Sequence, residues 1–193
     1  MKTELEMLGL IYQRPGIHIR AISRELKIGM PSIKYALNNI KKKKLITTVF
    51  EGRNLKCYIN FKNRLIIPCL YSAEYSRLSK LPKRIQNAIF DYLEILERKP
   101  LLALIFGSYA KDNYDKNSDL DILLIFDYLR TEIEKPAEVV GNRYGISIAP
   151  IELSWEEFNK KFFDRKDKFM KQIIDNKIII NGIEWWVMLE NEI

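Results

Sequence analysis

The sequence is poor in cysteine, histidine and long apolar runs, and each scarcity excludes a class of protein or site. Cys57 and Cys69 are its only cysteines, too few for a disulfide framework or a cysteine metal site, so we expect two reduced thiols. His18 is the only histidine, which excludes a catalytic triad or a metal centre built on histidine. No apolar run approaches the roughly 18 residues of a membrane helix, and acidic residues near the N-terminus argue against a signal peptide. We therefore expect a cytoplasmic protein without a membrane partner.

The charge is unevenly distributed along a chain that is otherwise typical of a globular protein, with 47% apolar and 30% charged residues. Residues 1–65 hold 14 Lys and Arg against 4 Asp and Glu, whereas residues 66–193 hold 18 against 21. A basic module joined to a mildly acidic one predicts two separate roles. The basic module is expected to bind nucleic acid.

The basic module has the pattern of three helices followed by a hairpin. Apolar residues recur at helical spacing before Arg14-Pro15-Gly16, again from about Ile17, and in PSIKYALNNIKKKK, which opens at Pro31. LITTVF and LKCYIN alternate like two strands around a turn at residues 51–54. Over about residues 1–62 this pattern resembles a winged helix-turn-helix domain.

The resemblance implies DNA binding, with the third helix in the major groove and the wing on the backbone. The candidate DNA-binding residues are polar side chains on the open face of the third helix and at the wing turn: Ser32, Lys34, Tyr35, Asn38, Asn39 and Arg53. The alternative is a solvated helix face with a wing that docks another protein. We favour DNA because the positive excess is larger than solubility requires.

Helical periodicity continues through residues 66–98, with a break expected at Leu81-Pro82. The segment from Ile66 to Leu81 is a candidate interface for a homodimer. The predicted organisation is therefore a DNA-binding domain at residues 1–65, connecting helices at 66–98 and a further domain at 99–193.

The third segment contains a candidate phosphate-binding turn. LLALIF reads as a short buried strand, and Gly107-Ser108 follows it directly. Glycine lets the backbone approach a ligand closely, serine offers a hydroxyl, and the N-terminus of a following helix presents free N–H groups. Lys111, one turn into that helix, would add a cation. By itself this dipeptide is a weak signal.

A pair of aspartates follows, at the start of another buried strand. Asp119 and Asp121 are two residues apart, so in a strand they point to the same face. Adjacent carboxylates repel each other unless cations neutralise them, and Mg²⁺ is commonly held by one or two carboxylates together with substrate phosphates. Paired with Gly107-Ser108, this arrangement suits two-metal phosphoryl chemistry. The alternative is a pair of surface aspartates that cap a strand beside an ordinary turn.

Gly-Ser, a spacer and Ser-Asp-x-Asp before an apolar strand together resemble the polymerase β-type nucleotidyltransferase superfamily, especially its minimal members, over about residues 85–165. The resemblance implies that Gly107 and Ser108 bind a nucleoside triphosphate, with ATP as the expected nucleotide, and that Asp119 and Asp121 coordinate Mg²⁺. It implies transfer of a nucleoside monophosphate to an acceptor hydroxyl with release of pyrophosphate. The expected fold class is α+β, with the winged domain followed by an α/β domain that has a small mixed sheet.

Two positions depart from the family pattern. Asp112 stands where many relatives have glycine. The third carboxylate of active members is expected near Ala149 or Pro150, and neither residue can serve as an acid. Glu152 is the candidate replacement, because it lies two residues beyond Pro150 and has a longer side chain. Two positions remain open for it: within reach of the metals, or in solvent at the end of the strand.

Three functions follow from these observations. The first is a DNA-binding nucleotidyltransferase that depends on Mg²⁺. The second, suggested by the missing acid, is a transcriptional regulator whose degenerate nucleotidyltransferase domain senses nucleotide. The third, implied only by the resemblance, is an antitoxin-like protein that pairs with a small helical toxin.

Overall fold

The structure, a computed structural model, describes residues 2–129, 132–164 and 166–192. It divides into two compact units. The N-terminal unit comprises Met1–Glu74 with Glu190–Ile193, and the C-terminal unit comprises Tyr75–Leu189. The predicted domain boundaries after residues 65 and 98 stay predictions.

The elements of the N-terminal unit follow the predicted order of three helices and a hairpin. They are α1 (Lys2–Gln13), β1 (Ile17–His18), α2 (Ile19–Leu26), α3 (Met30–Lys42), β2 (Ile46–Glu51), β3 (Asn54–Ile59), a 3₁₀ turn (Arg64–Ile66) and α4 (Ile67–Leu78), which continues into the C-terminal unit.

The second helix begins two residues later than the periodicity predicts, because Ile17 and His18 pair with β3 instead. The backbone N–H of Ala21 donates to His18 Nδ1 at 3.0 Å, so the single histidine caps this helix.

The three helices pack around a common core; α1 and α2 also contact β3, and α3 contacts β2. Met7, Ile11, Ile22, Ile33 and Ile40 are completely buried. The strands form an antiparallel sheet in the order β1-β3-β2, which leaves β2 at an edge. Three helices with a β2–β3 hairpin are the architecture of a winged helix-turn-helix domain, as the sequence predicted. We call this hairpin the wing.

The C-terminal unit alternates helices with four short strands. Its elements are α5 (Lys83–Ile95), β4 (Leu102–Ile105), α6 (Gly107–Lys111), β5 (Leu120–Phe126), α7 (Glu134–Tyr144), β6 (Ile148–Ser154), α8 (Trp155–Phe163), α9 (Lys168–Asp175), β7 (Ile178–Asn181) and α10 (Ile183–Glu190). The sheet order is β6-β5-β4-β7. Because β5 and β6 are parallel and the other pairs antiparallel, the sheet is small and mixed. The α+β fold class is confirmed.

The central strand β5 is covered on both faces. Ile122, Leu124 and Phe126 belong to one core cluster with residues of α5 and α7. Leu123 and Ile125 alternate with them, so they project from the opposite face, and they are also completely buried. Burial on both faces explains the uninterrupted apolar run of this strand. Among the described residues, every helix is too short or too polar to cross a lipid bilayer.

Candidate active site

The turn after β4 brings the chain back against β5. Gly107 opens α6 with φ = 68°, a left-handed conformation that favours glycine. A Cβ atom added there would lie 2.9 Å from Cγ of Asp121 and closer still to its carboxylate oxygen. The N–H of Phe106 donates to the carbonyl of Asp121 at 3.1 Å, which fixes the turn against the strand. The glycine of one motif therefore lies directly against the second aspartate of the other.

Asp119 and Asp121 lie near each other at the start of β5. Asp119 is exposed just before the strand, and Asp121 is half-buried within it. Partial burial raises the pKa of Asp121, the negative charge of Asp119 raises it further, and the positive charge of Lys111 acts in the opposite direction. The charges of Lys111 and Asp119 therefore both act on the carboxyl group of Asp121. Gly107 is in contact with Asp121. Ser108 follows Gly107 as the second residue of α6 and is half-buried.

The loop between α6 and Asp119 is held by contacts that the sequence patterns did not reveal. The rings of Tyr109 and Tyr114 stack with centroids 4.4 Å apart and planes 14° from parallel. The backbone N–H of Asp115 donates to Ser118 Oγ at 2.8 Å, and the N–H of Asn117 donates to Asp115 Oδ1 at 2.8 Å. These contacts fix the approach to Asp119. In the sequence, the only sign of these contacts was the pair of tyrosines five residues apart.

Glu152 lies on the other side of the sheet from Asp121. In the parallel pair β5–β6 it is in register with Leu124, whose side chain belongs to the core beneath α5 and α7. Burial raises the pKa of Glu152, and the charges of Glu134 and Glu157 raise it further. Its Oε2 atom is buried without a hydrogen-bond partner in the part of the chain that the structure describes. The prediction that Glu152 joins the two aspartates is contradicted by this register.

Ala149 occupies the position beside Asp121. The two residues are in register across β5 and β6, so their side chains share a face. Of the two positions considered for the third acid, Ala149 therefore lies next to the aspartates, whereas Pro150 pairs with Ile122 and faces the core. Within the described ranges no group of three Asp, Glu, Cys or His residues could hold a metal ion. The site accordingly contains two carboxylates.

An open groove of about 780 Å³ lies between α7 and the loop that connects α6 to Asp119. Its walls include Tyr109, Ser118, Glu138 and Ser147, but neither aspartate. No spacing in the sequence indicated it, because its walls come from segments far apart in the chain.

Most of the predicted DNA-binding residues are exposed in the N-terminal unit. Ser32, Lys34, Tyr35 and Asn38 are exposed on α3, and Arg53 is exposed at the wing turn. Asn39 is the exception. It is half-buried, and its Nδ2 donates to Glu4 Oε1 at 3.1 Å, while Lys43 pairs with the same carboxylate at 2.8 Å. The hydrogen bond joins α3 to α1, which gives Asn39 a structural role, and its DNA contact stays a prediction.

Replacement of Gly107 by alanine tests the close approach to Asp121. Gly107→Ala adds both left-handed strain of about 1–2 kcal/mol and overlap with the carboxylate of Asp121. Gly145→Ala is the matched control, because Gly145 has φ = 60° and nothing within 4 Å of an added Cβ. We expect the free energy of unfolding, measured in urea, to fall more for Gly107→Ala. Equal losses would contradict the contact.

The pKa of Asp121 tests whether the charges of Asp119 and Lys111 act on its carboxyl group. Asp119→Asn should lower this pKa because it removes a repelling charge, and Lys111→Met should raise it further because it removes an attracting one. Carboxyl ¹³C NMR titration measures both changes, with Asp112→Asn as the control. The stability that protonated Asp121 contributes is full below its unfolded-state pKa and is lost as the pH rises through its higher folded-state pKa. An unchanged pKa in Asp119→Asn would contradict the proximity of the two carboxylates.

Comparison with known proteins adds three similarities. A family model described as "Nucleotidyltransferase domain" matches residues 89–192. "Putative protein adenylyltransferase MJ0141" of Methanocaldococcus jannaschii is 36% identical over 66 residues, which cover 32% of this chain and 67% of that protein. "Putative protein adenylyltransferase MJ0604" of the same organism is 40% identical over 62 residues, which cover 30% of this chain and 58% of that protein.

A crystal structure of MepR, a transcription regulator of the Staphylococcus aureus multidrug efflux pump MepA, covers 49% of this chain and 75% of its own. The two chains are 20% identical, with a TM-score of 0.35. The family match spans more than half of the chain and includes the whole of the Gly107 turn and the aspartate pair. The chain therefore belongs to the nucleotidyltransferase domain family.

Proposed function

We propose that the C-terminal unit transfers a nucleoside monophosphate from a nucleoside triphosphate, with ATP as the first candidate, to an acceptor hydroxyl. The observation that carries the proposal is the contact between Gly107 and Asp121, with Asp119 and Lys111 in the same electrostatic field. Together these residues offer close backbone approach, carboxylate oxygens and a cation in one place. The names of the two adenylyltransferase relatives agree with ATP as donor.

The donor set fits Mg²⁺. Two neighbouring carboxylates supply hard oxygen ligands. Burial raises the pKa of Asp121 and the negative charge of Asp119 raises it further, and a divalent cation would offset both effects. Asp119 and Asp121 would hold the ion, which when bound polarises phosphoryl oxygens and neutralises the charge that develops on them. In the proposed reaction the acceptor oxygen bonds to the α-phosphorus and its proton passes to water, while the bond from that phosphorus to the bridging oxygen breaks and pyrophosphate leaves.

The side chains around the turn would bind and orient the triphosphate. Gly107 lets the carboxylate of Asp121 lie against the backbone of the turn, and the first N–H groups of α6 would donate to a phosphate oxygen. Lys111 would balance the phosphate charge, and the hydroxyl of Ser108 would donate to a phosphate oxygen. The stacked Tyr109 and Tyr114 hold the loop that precedes Asp119.

A second candidate function is nucleotide sensing without turnover. It is favoured by Ala149, which stands beside Asp121 where the family pattern places a third carboxylate. In this case the same residues bind nucleotide, and the bound nucleotide changes DNA affinity. The predicted helical toxin-like partner, the homodimer and the cytoplasmic location stay predictions.

Removal of the carboxylates separates these two functions. We expect Asp119→Asn with Asp121→Asn to reduce transfer of label from [α-³²P]ATP, with Mg²⁺, to protein or nucleic-acid acceptors by at least about 100-fold, since changes even beyond the direct ligands of a metal cost 10–100-fold. Glu152→Gln is the control and should leave transfer unchanged. Turnover that survives the double substitution rejects the site. If the unaltered chain binds nucleotide without turnover, and the bound nucleotide changes its affinity for DNA, the result supports the sensor.

We also propose that the N-terminal unit binds DNA through α3 and the wing. Its excess of Lys and Arg and the exposure of Lys34 and Arg53 support this role. The affinity for a random-sequence 40-base-pair duplex should fall steeply with salt, because counterions are released on binding.

Lys34→Ala tests one phosphate contact of this surface. It should reduce the slope of log affinity against log salt by about 1, and Lys135→Ala, an exposed lysine on α7, should leave the slope unchanged. Fluorescence anisotropy at several salt concentrations measures both slopes. An affinity indifferent to salt would exclude the proposed mode.

A further inference from the structure

The wing exposes two large apolar side chains. Phe50 is 76% exposed and Val49 is 55% exposed, although single exposed apolar residues are usually smaller or partly covered by neighbours. Both lie near the end of β2, the edge strand of the sheet. The opposite strand offers Phe50 only the half-buried Leu55 as its cross-strand neighbour.

Phe50 and Val49 project in opposite directions. Consecutive residues of a strand point to opposite faces, so one flat partner surface could cover only one of the two side chains. A cleft with two walls would contact both. The minor groove of DNA is about 6 Å wide, and proteins that bind it often insert apolar side chains between base steps.

The charge around the wing favours a polyanion as the occupant. Arg53 is exposed at the turn, and the only acid of the two wing strands, Glu51, forms an ion pair with Lys56. The module of residues 1–65 has 14 basic residues against 4 acidic ones. A second copy of this chain would present the same positive charge and be repelled.

We propose that Phe50, with Val49 beside it, forms an apolar wedge that enters the DNA minor groove, partly unstacks one base step and bends the duplex. The wedge rests on the proposed DNA binding and adds a mode of contact to it. Unstacking costs free energy, which is offset when the bend lets more of the protein surface contact the duplex. Arg53 at the tip would lie near the phosphates that flank the opened step.

The experiment compares Phe50→Ser with Leu65→Ser in the full chain. Leu65 is also strongly exposed, at 71%, but lies in the 3₁₀ turn outside the wing. The probe is a 30-base-pair A·T-rich duplex with a donor and an acceptor dye at its two ends and a 2-aminopurine base inside. Anisotropy reports affinity, energy transfer between the dyes reports bending, and 2-aminopurine fluorescence reports unstacking.

We expect the unaltered chain and Leu65→Ser to raise energy transfer and 2-aminopurine fluorescence on binding. Phe50→Ser should lose both signals and bind about tenfold more weakly, because the variant lacks the phenyl group that the unaltered chain buries on binding. Its salt dependence should be unchanged because no phosphate contact is lost.

If Phe50→Ser bends the duplex as much as the unaltered chain does, the wedge proposal is wrong. So would a dimer, detected by sedimentation, that Phe50→Ser converts to a monomer, since the wing would then be an interface between copies. Binding of the unaltered chain without bending rejects the wedge alone. Absence of any duplex binding by the unaltered chain rejects the DNA-binding proposal together with it.

Discussion

The contact between the carboxylate of Asp121 and the backbone of Gly107 is the constraint on which the C-terminal unit's chemistry depends. It exists because β4 and β5 are antiparallel neighbours, which brings the turn after one strand beside the start of the other. A side chain at residue 107 would occupy the place of the carboxylate. The glycine is therefore required by the close approach of the Asp121 carboxylate to the backbone of the turn.

Charge is arranged differently in the two units. In the C-terminal site the negative charge of Asp119 works against ionisation of Asp121, and Lys111 only partly compensates. Such a site is receptive to a divalent cation because neutralisation relieves both repulsion and desolvation. In the N-terminal unit the basic residues remain exposed along α3, so they are available to an anionic partner.

The sequence was sufficient where local patterns determine structure. Alternation predicted the wing, and helical spacing predicted the three helices that precede it. It was insufficient where a contact joins distant segments. The amide of Asn39 looked available on a helix face, but Glu4, 35 residues earlier, accepts its hydrogen bond. Glu152 was assigned to the site by its distance from Pro150, whereas the face of β6 that meets Asp121 follows from its pairing with β5.

This pairing also limits what the site can do by itself. Ala149 shares the face of Asp121, so the strand that could add a third carboxylate contributes a methyl group there. In the proposed reaction the two aspartates would hold the ion, and the nucleotide's phosphates would supply further oxygen ligands. Binding of the ion and of the nucleotide would then depend on each other. In that case metal affinity would depend on substrate occupancy, and such dependence would suit both a transferase and a nucleotide sensor.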